Sequence, residues 1–219
     1  MPMDGLMLFS VAEELNQRLL GGRIDRIQQP ERDEVHLMIR CGGQTHRLLL
    51  SCSANHARAH ITQSVKRSMD TPPQFCMLLR KHLLGGKITA IEQTGLDRIL
   101  RFSVESIDEM GDYGVKHLII EMMGRHSTAQ ISRVREVLPH LLYVTPPVQD
   151  KTDLRSATAE AICARLMAQG EVTLDKAIAE GFYGFSQPAS RELSYRFCGQ
   201  EKASADQWRV QTERIAQAL

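Results

Sequence analysis

Excess charge of one sign is the first thing this chain lacks. Its 27 Lys and Arg face 26 Asp and Glu, a formal net charge of +1. That balance excludes wholesale attraction to nucleic acid or membrane, though not a local basic patch. Cysteine is scarce and unpatterned: the five residues (Cys41, Cys52, Cys76, Cys163, Cys198) are odd in number, far apart and never in Cys-x-x-Cys. This argues against a disulfide framework or a zinc site and for reduced thiols in a cytosol. No apolar run approaches the length of a membrane span, and no basic start with an apolar stretch opens the chain. The expectation is a soluble, cytoplasmic protein with no membrane partner. Dinucleotide-binding, P-loop and nucleophile-elbow patterns are missing as well. His56 and His60 have the i, i+4 spacing of a helical metal pair, but neither a third ligand nor a general-base Glu accompanies them. No metal and no cofactor is expected.

What is present is a repeat. Leu19-Leu20-Gly21-Gly22-Arg23-Ile24-x-x-Ile27-x-Gln29 matches Leu83-Leu84-Gly85-Gly86-Lys87-Ile88-x-x-Ile91-x-Gln93 at a constant offset of 64 positions. Carried forward, that offset sets Asp33 on Asp97 and Val35 on Ile99. Each copy reads as a helix stopped by a glycine pair, then a meander of antiparallel strands. The first copy predicts a helix capped by Asp4 and strands at 23–29, 34–41 and 45–52. After a polar loop over 53–70, the second predicts a helix opened by Pro72-Pro73 and strands at 87–93, 98–105 and 115–122. The fold class is therefore α+β, with an antiparallel, sandwich-like N-terminal domain over 1–150. Residues 126–150 read as an extended connector within it. Helices at 156–170, 173–180 and 187–197 form a small all-α domain over 151–204. A further amphipathic stretch over 205–219 reads as the start of a helix in a fragment of a longer protein. The tight turn Phe182-Tyr183-Gly184-Phe185-Ser186 gives the second domain the look of a helix-hairpin-helix module. Such a hairpin can aim backbone N–H groups at a phosphate through Gly184 and Ser186. A plain helical pair is the alternative.

Few residues offer chemistry. Asp97-Arg98 stands where the second hairpin turns; Arg98 could grip a phosphate bidentately while Asp97 orients it, or the two could be a surface ion pair. Glu121 through Ser127 closes a strand, with Glu121 able to buttress Arg125 and with His126 beside it. Arg133 and Arg135 add positive charge and further phosphate contacts. Pro2, freed by removal of Met1, would be an N-terminal amine like the nucleophile of formamidopyrimidine-type DNA glycosylases. Met3 follows it where those enzymes need an acid, with Asp4 one place further on, so catalysis is not expected.

Together these stretches resemble the NFACT family. The resemblance lies in Asp4-Gly5-Leu6, the two Leu-Leu-Gly-Gly segments, Pro73-Gln74-Phe75-Cys76-Met77-Leu78-Leu79-Arg80-Lys81-His82-Leu83, and Gly95-Leu96-Asp97-Arg98-Ile99. Met123-Gly124-Arg125-His126-Ser127 and Arg133-Val134-Arg135-Glu136-Val137-Leu138-Pro139 add to it. The resemblance implies an N-terminal domain similar in fold to the glycosylase N-domain but without its activity. It also implies a cytoplasmic ribosome quality-control factor that binds large ribosomal subunits carrying a stalled peptidyl-tRNA. Such a factor recruits tRNA, in bacteria alanyl-tRNA, for C-terminal alanine tailing without mRNA. Asp97 and Arg98 then fall on the family's tRNA-recruiting pair, with Asp4, Glu121, Arg125 and His126 on its other motif positions. Two departures stand out. The span from Ser127 to Ser132 is shorter than the family's, and the family's coiled-coil and NFACT-R partner domains are absent, so this chain would not tail alone. The rival readings are a glycosylase acting through Pro2 and a cell-surface adhesin for fibronectin.

Overall fold

The computed structural model describes residues 3–107, 111–122 and 149–219. The expectations for Pro2, Arg125, His126, Arg133, Arg135 and most of the 126–150 connector fall outside these residues. The described chain forms two compact units. The first comprises Met3, Met7–Thr94 and 98–122; the second comprises Asp4–Leu6, Gly95–Asp97 and 149–219.

The first unit is α+β. Helix α1 (Gly5–Leu19) leads into β1 (Arg23–Glu31), β2 (Glu34–Cys41), β3 (Gln44–Ser51) and β4 (Arg58–Ile61). Helix α2 (Gln74–Leu83) leads into β5 (Lys87–Gln93), β6 (Ile99–Ile107) and β7 (Tyr113–Glu121). All seven strands join one antiparallel sheet in the order β4-β3-β2-β1-β5-β6-β7. This corrects the sandwich-like expectation: the two meanders do not stack as separate layers but meet edge to edge through β1 and β5. Leu8, Leu15 and Leu19 of α1 and Cys76, Leu79 and Leu83 of α2 are buried in one core with Ile24, Ile27, Leu37, Ile39, Ile88, Ile91, Phe102 and Val104 of the sheet. The alternation along each strand therefore gives the sheet one apolar face, covered by both helices.

The glycine pairs make the seam. Gly21 and Gly85 both hold φ +78°, left-handed backbone that other residues adopt only with strain. Their amides cross over: Gly21 N donates to Ile88 O at 2.8 Å, and Gly85 N donates to Ile24 O at 2.8 Å. The return bonds, Ile24 N to Gly86 O and Ile88 N to Gly22 O, are each 2.9 Å. Every bond has its counterpart 64 positions away, so the repeat is a two-fold pseudo-symmetry centred on β1 and β5. Each of these strands also carries a bulge at the same place, between Ile24 and Arg26 and between Ile88 and Ala90.

Beyond the strand turns the offset changes. Gln28 pairs with His36 but Glu92 pairs with Arg101, so the second connection is one residue longer. Cys52 N donates to Asp33 O at 2.8 Å, and the equivalent bond runs from Met122 N to Arg98 O at 2.7 Å. Asp33 therefore corresponds to Arg98 rather than Asp97, and Val35 to Leu100 rather than Ile99. A second correction concerns residues 53–70, which are not wholly loop: Arg58–Ile61 pairs with β3, with Ala59 opposite Leu50 and fully buried. His56 and His60 thus sit in a turn and a strand, not on one helix face.

The second unit is helical: α3 (Ala159–Met167), α4 (Leu174–Gly181), α5 (Gln187–Cys198), α6 (Ala205–Arg209) and α7 (Thr212–Ala218). Helix α3 is shorter than its apolar pattern predicts, because Thr158 caps it by accepting from Ala161 N at 3.3 Å. The amphipathic stretch over 205–219 is two short helices, and their Trp208 and Ile215 are fully buried with Leu166, Leu174, Ile178 and Phe182. The indole N–H of Trp208 donates to Val172 O at 3.0 Å, which satisfies the one polar atom of that side chain.

Candidate nucleic-acid interface

The second repeat's turn lies at one end of the first unit's sheet. Thr94 N donates to Ile99 O at 3.1 Å, which closes the turn between β5 and β6. Ile99 is paired with Glu121, and the Met122 N bond to Arg98 O extends that ladder by one rung. Arg98 therefore leaves the sheet from a backbone held on the β7 side, with its residue half-buried, while Glu121 is only 2% exposed. The first repeat has Asp33 at the position of Arg98 and Arg32 at that of Asp97, so the two turns carry the same acid and base in opposite order.

In the second unit, three separated stretches converge. Ser186 caps α5: its hydroxyl accepts from Ala189 N at 3.4 Å and donates to the Asp4 carboxylate at 2.6 Å. Leu6 N donates to Gly184 O at 3.2 Å. Gly184 holds φ +93°, and Leu6 and Leu96 side-chain atoms lie 3.2 to 3.4 Å from where a Cβ would stand. Gly5 is still more confined: a Cβ there would lie 1.9 Å from Leu96 O and 2.7 Å from Gly184 Cα. Asp4 and Leu96 are buried and Asp97 is half-buried. The hairpin after α4 thus presents its cap hydroxyl to a carboxylate of the same chain, at a helix N-terminus where negative charge is favoured. Of the residues expected from sequence, Asp4, Asp97, Gly184 and Ser186 belong to this unit and Arg98 and Glu121 to the other.

Two polar clusters escaped the sequence reading. On the sheet's outer face Glu34 and His36, 3% and 2% exposed, meet at 2.8 Å, and Lys66 Nζ reaches the same carboxylate at 2.9 Å. Burial alone would raise the Glu34 pKa; the hydrogen bonds from Lys66 and His36 outweigh it and hold the group below its ordinary 4.5. Lys66 comes from the stretch read as a polar loop, which lies over the outer face through Gln28 to Ser68 and Arg47 to the Ser64 carbonyl, both 2.5 Å. The alternating Glu34-Val35-His36-Leu37 was the available signal: polar residues on one side of a strand whose other side is core. In the helical unit Asp175, 1% exposed, accepts from Thr173 Oγ1 at 2.5 Å and Gln187 Nε2 at 2.6 Å and ties α4 to α5. Among the described residues, no group of three or more His, Cys, Asp or Glu could hold a metal ion, and no helix is long and apolar enough to cross a membrane.

A family model described as NFACT N-terminal and middle domains matches residues 4–131 and 128–219. The Rqc2 homolog RqcH of Bacillus subtilis is 39% identical over 215 residues, which cover 90% of this chain and 38% of that protein. The human ribosome quality control complex subunit NEMF is 30% identical over 118 residues, 54% of this chain and 10% of its own length. Among solved structures, the N-terminal part of the fibronectin/fibrinogen-binding protein of Streptococcus suis is 31% identical with a TM-score of 0.78, over 98% of this chain and 83% of that one. The fibrinogen-binding protein of Staphylococcus aureus is 28% identical with a TM-score of 0.77, over 100% and 82%. The chain spans about two-fifths of the length of the bacterial curated relatives it matches.

Proposed function

The chain belongs to the NFACT family, in its N-terminal and middle domains, and from that premise we propose that it is the tRNA-binding module of a ribosome quality-control factor. In this reading it engages the large ribosomal subunit obstructed by peptidyl-tRNA. It recruits alanyl-tRNA there, and the complete factor adds C-terminal alanine without mRNA. The module itself does no chemistry; it binds and positions. Arg98 holds a tRNA phosphate and Asp97 orients it or accepts from a ribose hydroxyl. Glu121 and Asp4 likewise orient these contacts or read hydroxyls, and Arg125, with His126 beside it in sequence, takes a further phosphate.

The observation that carries this reading is the break in the pseudo-symmetry. Two hairpins share glycines, bulges and seam bonds, yet one turn carries Asp33 and the other Arg98. Both turns hold one Arg and one Asp, Arg32-Asp33 and Asp97-Arg98; a cation at the position beside the β6–β7 ladder, where the first repeat has a carboxylate, fits an anionic partner.

A low-salt titration against tRNA, a duplex DNA of the same length, and tRNA with the Asp97→Ala/Arg98→Ala variant tests it. Preferential tRNA binding that the variant loses is the expected result. Equal binding of both nucleic acids, indifferent to the substitutions, would sink the assignment. The names of the solved relatives favour a second reading, adhesion to fibronectin or fibrinogen. Saturable fibronectin binding that survives the Asp97→Ala/Arg98→Ala change, with no tRNA binding, would favour it.

A further inference from the structure

We propose that the open face of the sheet at the β1–β5 seam is a second RNA contact, one that takes the phosphodiester backbone. It extends the RNA-binding reading above to a different surface. Strand register sets Arg40, Arg23 and Lys87 side by side in one row, since Arg23 is opposite Arg40 on one side and opposite Lys87 on the other. Directly opposed residues share a face, with Cβ atoms about 5 Å apart. That face is the one turned away from the two helices, because the neighbouring residue along each of these strands, Ile24, Ile39 and Ile88, turns into the core. All three cations are exposed, as is Arg26 on the same face beyond the bulge.

Like charges directly opposed repel, and an ordinary sheet separates them. Here little carboxylate is available. Arg40 pairs with Asp25 at 3.1 Å. Among the described residues, Arg23, Arg26 and Lys87 have no carboxylate within salt-bridge reach. Glu105 is opposite Lys87 in the register without forming an ion pair, and further along the strands Arg101 is already paired with Glu92 at 2.8 Å.

The pseudo-symmetry shows how the cations are held. Arg23 Nη2 lies 3.5 Å from where a Cβ of Gly85 would stand, and Lys87 Cε lies 4.0 Å from the same point on Gly21. Each side chain therefore crosses the seam to the C-terminal end of the other repeat's helix, where the helix dipole favours positive charge. The dipole offsets the repulsion without neutralising the charges, which stay available to a polyanion. Lys87 and Gln93 are the two ends of β5. At about 3.3 Å per residue the row lies roughly 20 Å along the strand from the turn that follows Gln93. A phosphodiester backbone lying over the seam would meet these charges in series, which a small anion would not need.

The test is a tRNA titration of the whole chain at several salt concentrations, comparing wild type, Arg23→Gln/Lys87→Gln, Arg26→Gln and Asp97→Ala/Arg98→Ala. Removing one cation that neutralises a phosphate lowers the slope of log K against log salt by about 0.7 to 0.9. The seam double variant is expected to lower it by roughly 1.5. Arg26→Gln, which disturbs no protein ion pair, is expected to lower it by about half as much. Both reductions are expected to persist in the Asp97→Ala/Arg98→Ala background. Unchanged slopes overturn the proposal, even if Asp97→Ala/Arg98→Ala abolishes binding; that outcome leaves the first site standing. Slopes that fall only with the seam variants support this surface and remove the other. Phosphatidylserine vesicles are the control: seam-dependent vesicle binding with seam-independent tRNA binding would also overturn it.

Discussion

Gly5 is the position at which a single methyl group would be felt most sharply. With Leu96 O 1.9 Å and Gly184 Cα 2.7 Å from its place, the obstacle is backbone on two sides, which cannot rotate away as a side chain would. Gly5→Ala is expected to cost at least 2 to 3 kcal/mol, read as a lower urea midpoint for the helical unit. A cost under about 0.5 kcal/mol would mean the three stretches do not meet as described. Glu34 makes a different kind of prediction. Its folded pKa lies below 4.5 because Lys66 and His36 favour the ionised form over the opposing effect of burial. Such a group stabilises the fold fully above pH 4.5, and that contribution is lost as pH falls through the lower folded value. His60 works in the same sense from pH 6.5 downward: burial, then the Arg58 charge, push its pKa below the ordinary 6.5, so acid must charge it against its surroundings. The stability of the first unit should therefore fall from about pH 6.5, and more steeply below pH 4.5. Glu34→Gln should flatten the lower part of the curve. A thermal midpoint in the variant as acid-sensitive as wild type below pH 4.5 would refute the role of Glu34.

At the scale of elements, the two repeats hold each other. Asn16 Nδ2 of α1 donates to Ile91 O of β5 at 2.7 Å, and Arg80 Nε of α2 donates to Ile27 O of β1 at 3.0 Å. Both donors and both acceptors are 64 positions apart, so each helix pins the other repeat's first strand. Asn16→Ala and Arg80→Ala should each cost about 1 to 2 kcal/mol by leaving a strand carbonyl short of a partner. The two sites share no partner, so the costs should add in the double variant to within about 0.5 kcal/mol. Strong non-additivity in chemical unfolding would show that the two bonds form as one. These elements also show what the sequence could reveal. Alternating apolar residues bounded at one end by a glycine pair announced β2 and β5 to the residue, because local stereochemistry and the two-residue period decide them. The edge-to-edge joining of the repeats was hidden, since it depends on which amides remain unpaired at the seam. Strand β4 was hidden for a related reason: four residues, only two of them apolar, are too short a pattern to stand apart from a loop. The slip that set Asp33 on Asp97 came from one extra residue in a turn, where no periodicity marks the register. The candidate residues themselves were legible as motifs. That Asp4 would meet Ser186, 182 positions away, was not.

At the scale of the molecule, two cores and one tryptophan make the units separately visible. Trp208 is the only tryptophan in the chain, and it is fully buried in the helical core with Ile215 and Phe182. Its fluorescence therefore reports that unit alone, while the far-ultraviolet circular dichroism near strand bands weighs the seven-stranded sheet. If each unit unfolds on its own core, urea titrations followed by the two signals should not coincide, the ordinary sign that a transition is not two-state. Asn16→Ala supplies the sharper form of the experiment, because its bond lies wholly within the sheet unit. It should lower the midpoint seen by circular dichroism and leave the Trp208 midpoint within error. Trp208→Phe is a poor probe here, since it removes the bond to Val172 along with the signal. A common midpoint for both signals, moving together in Asn16→Ala, would instead mean that the units unfold as one cooperative body. The apparent cost of Gly5→Ala would then belong to the whole chain rather than to the helical unit.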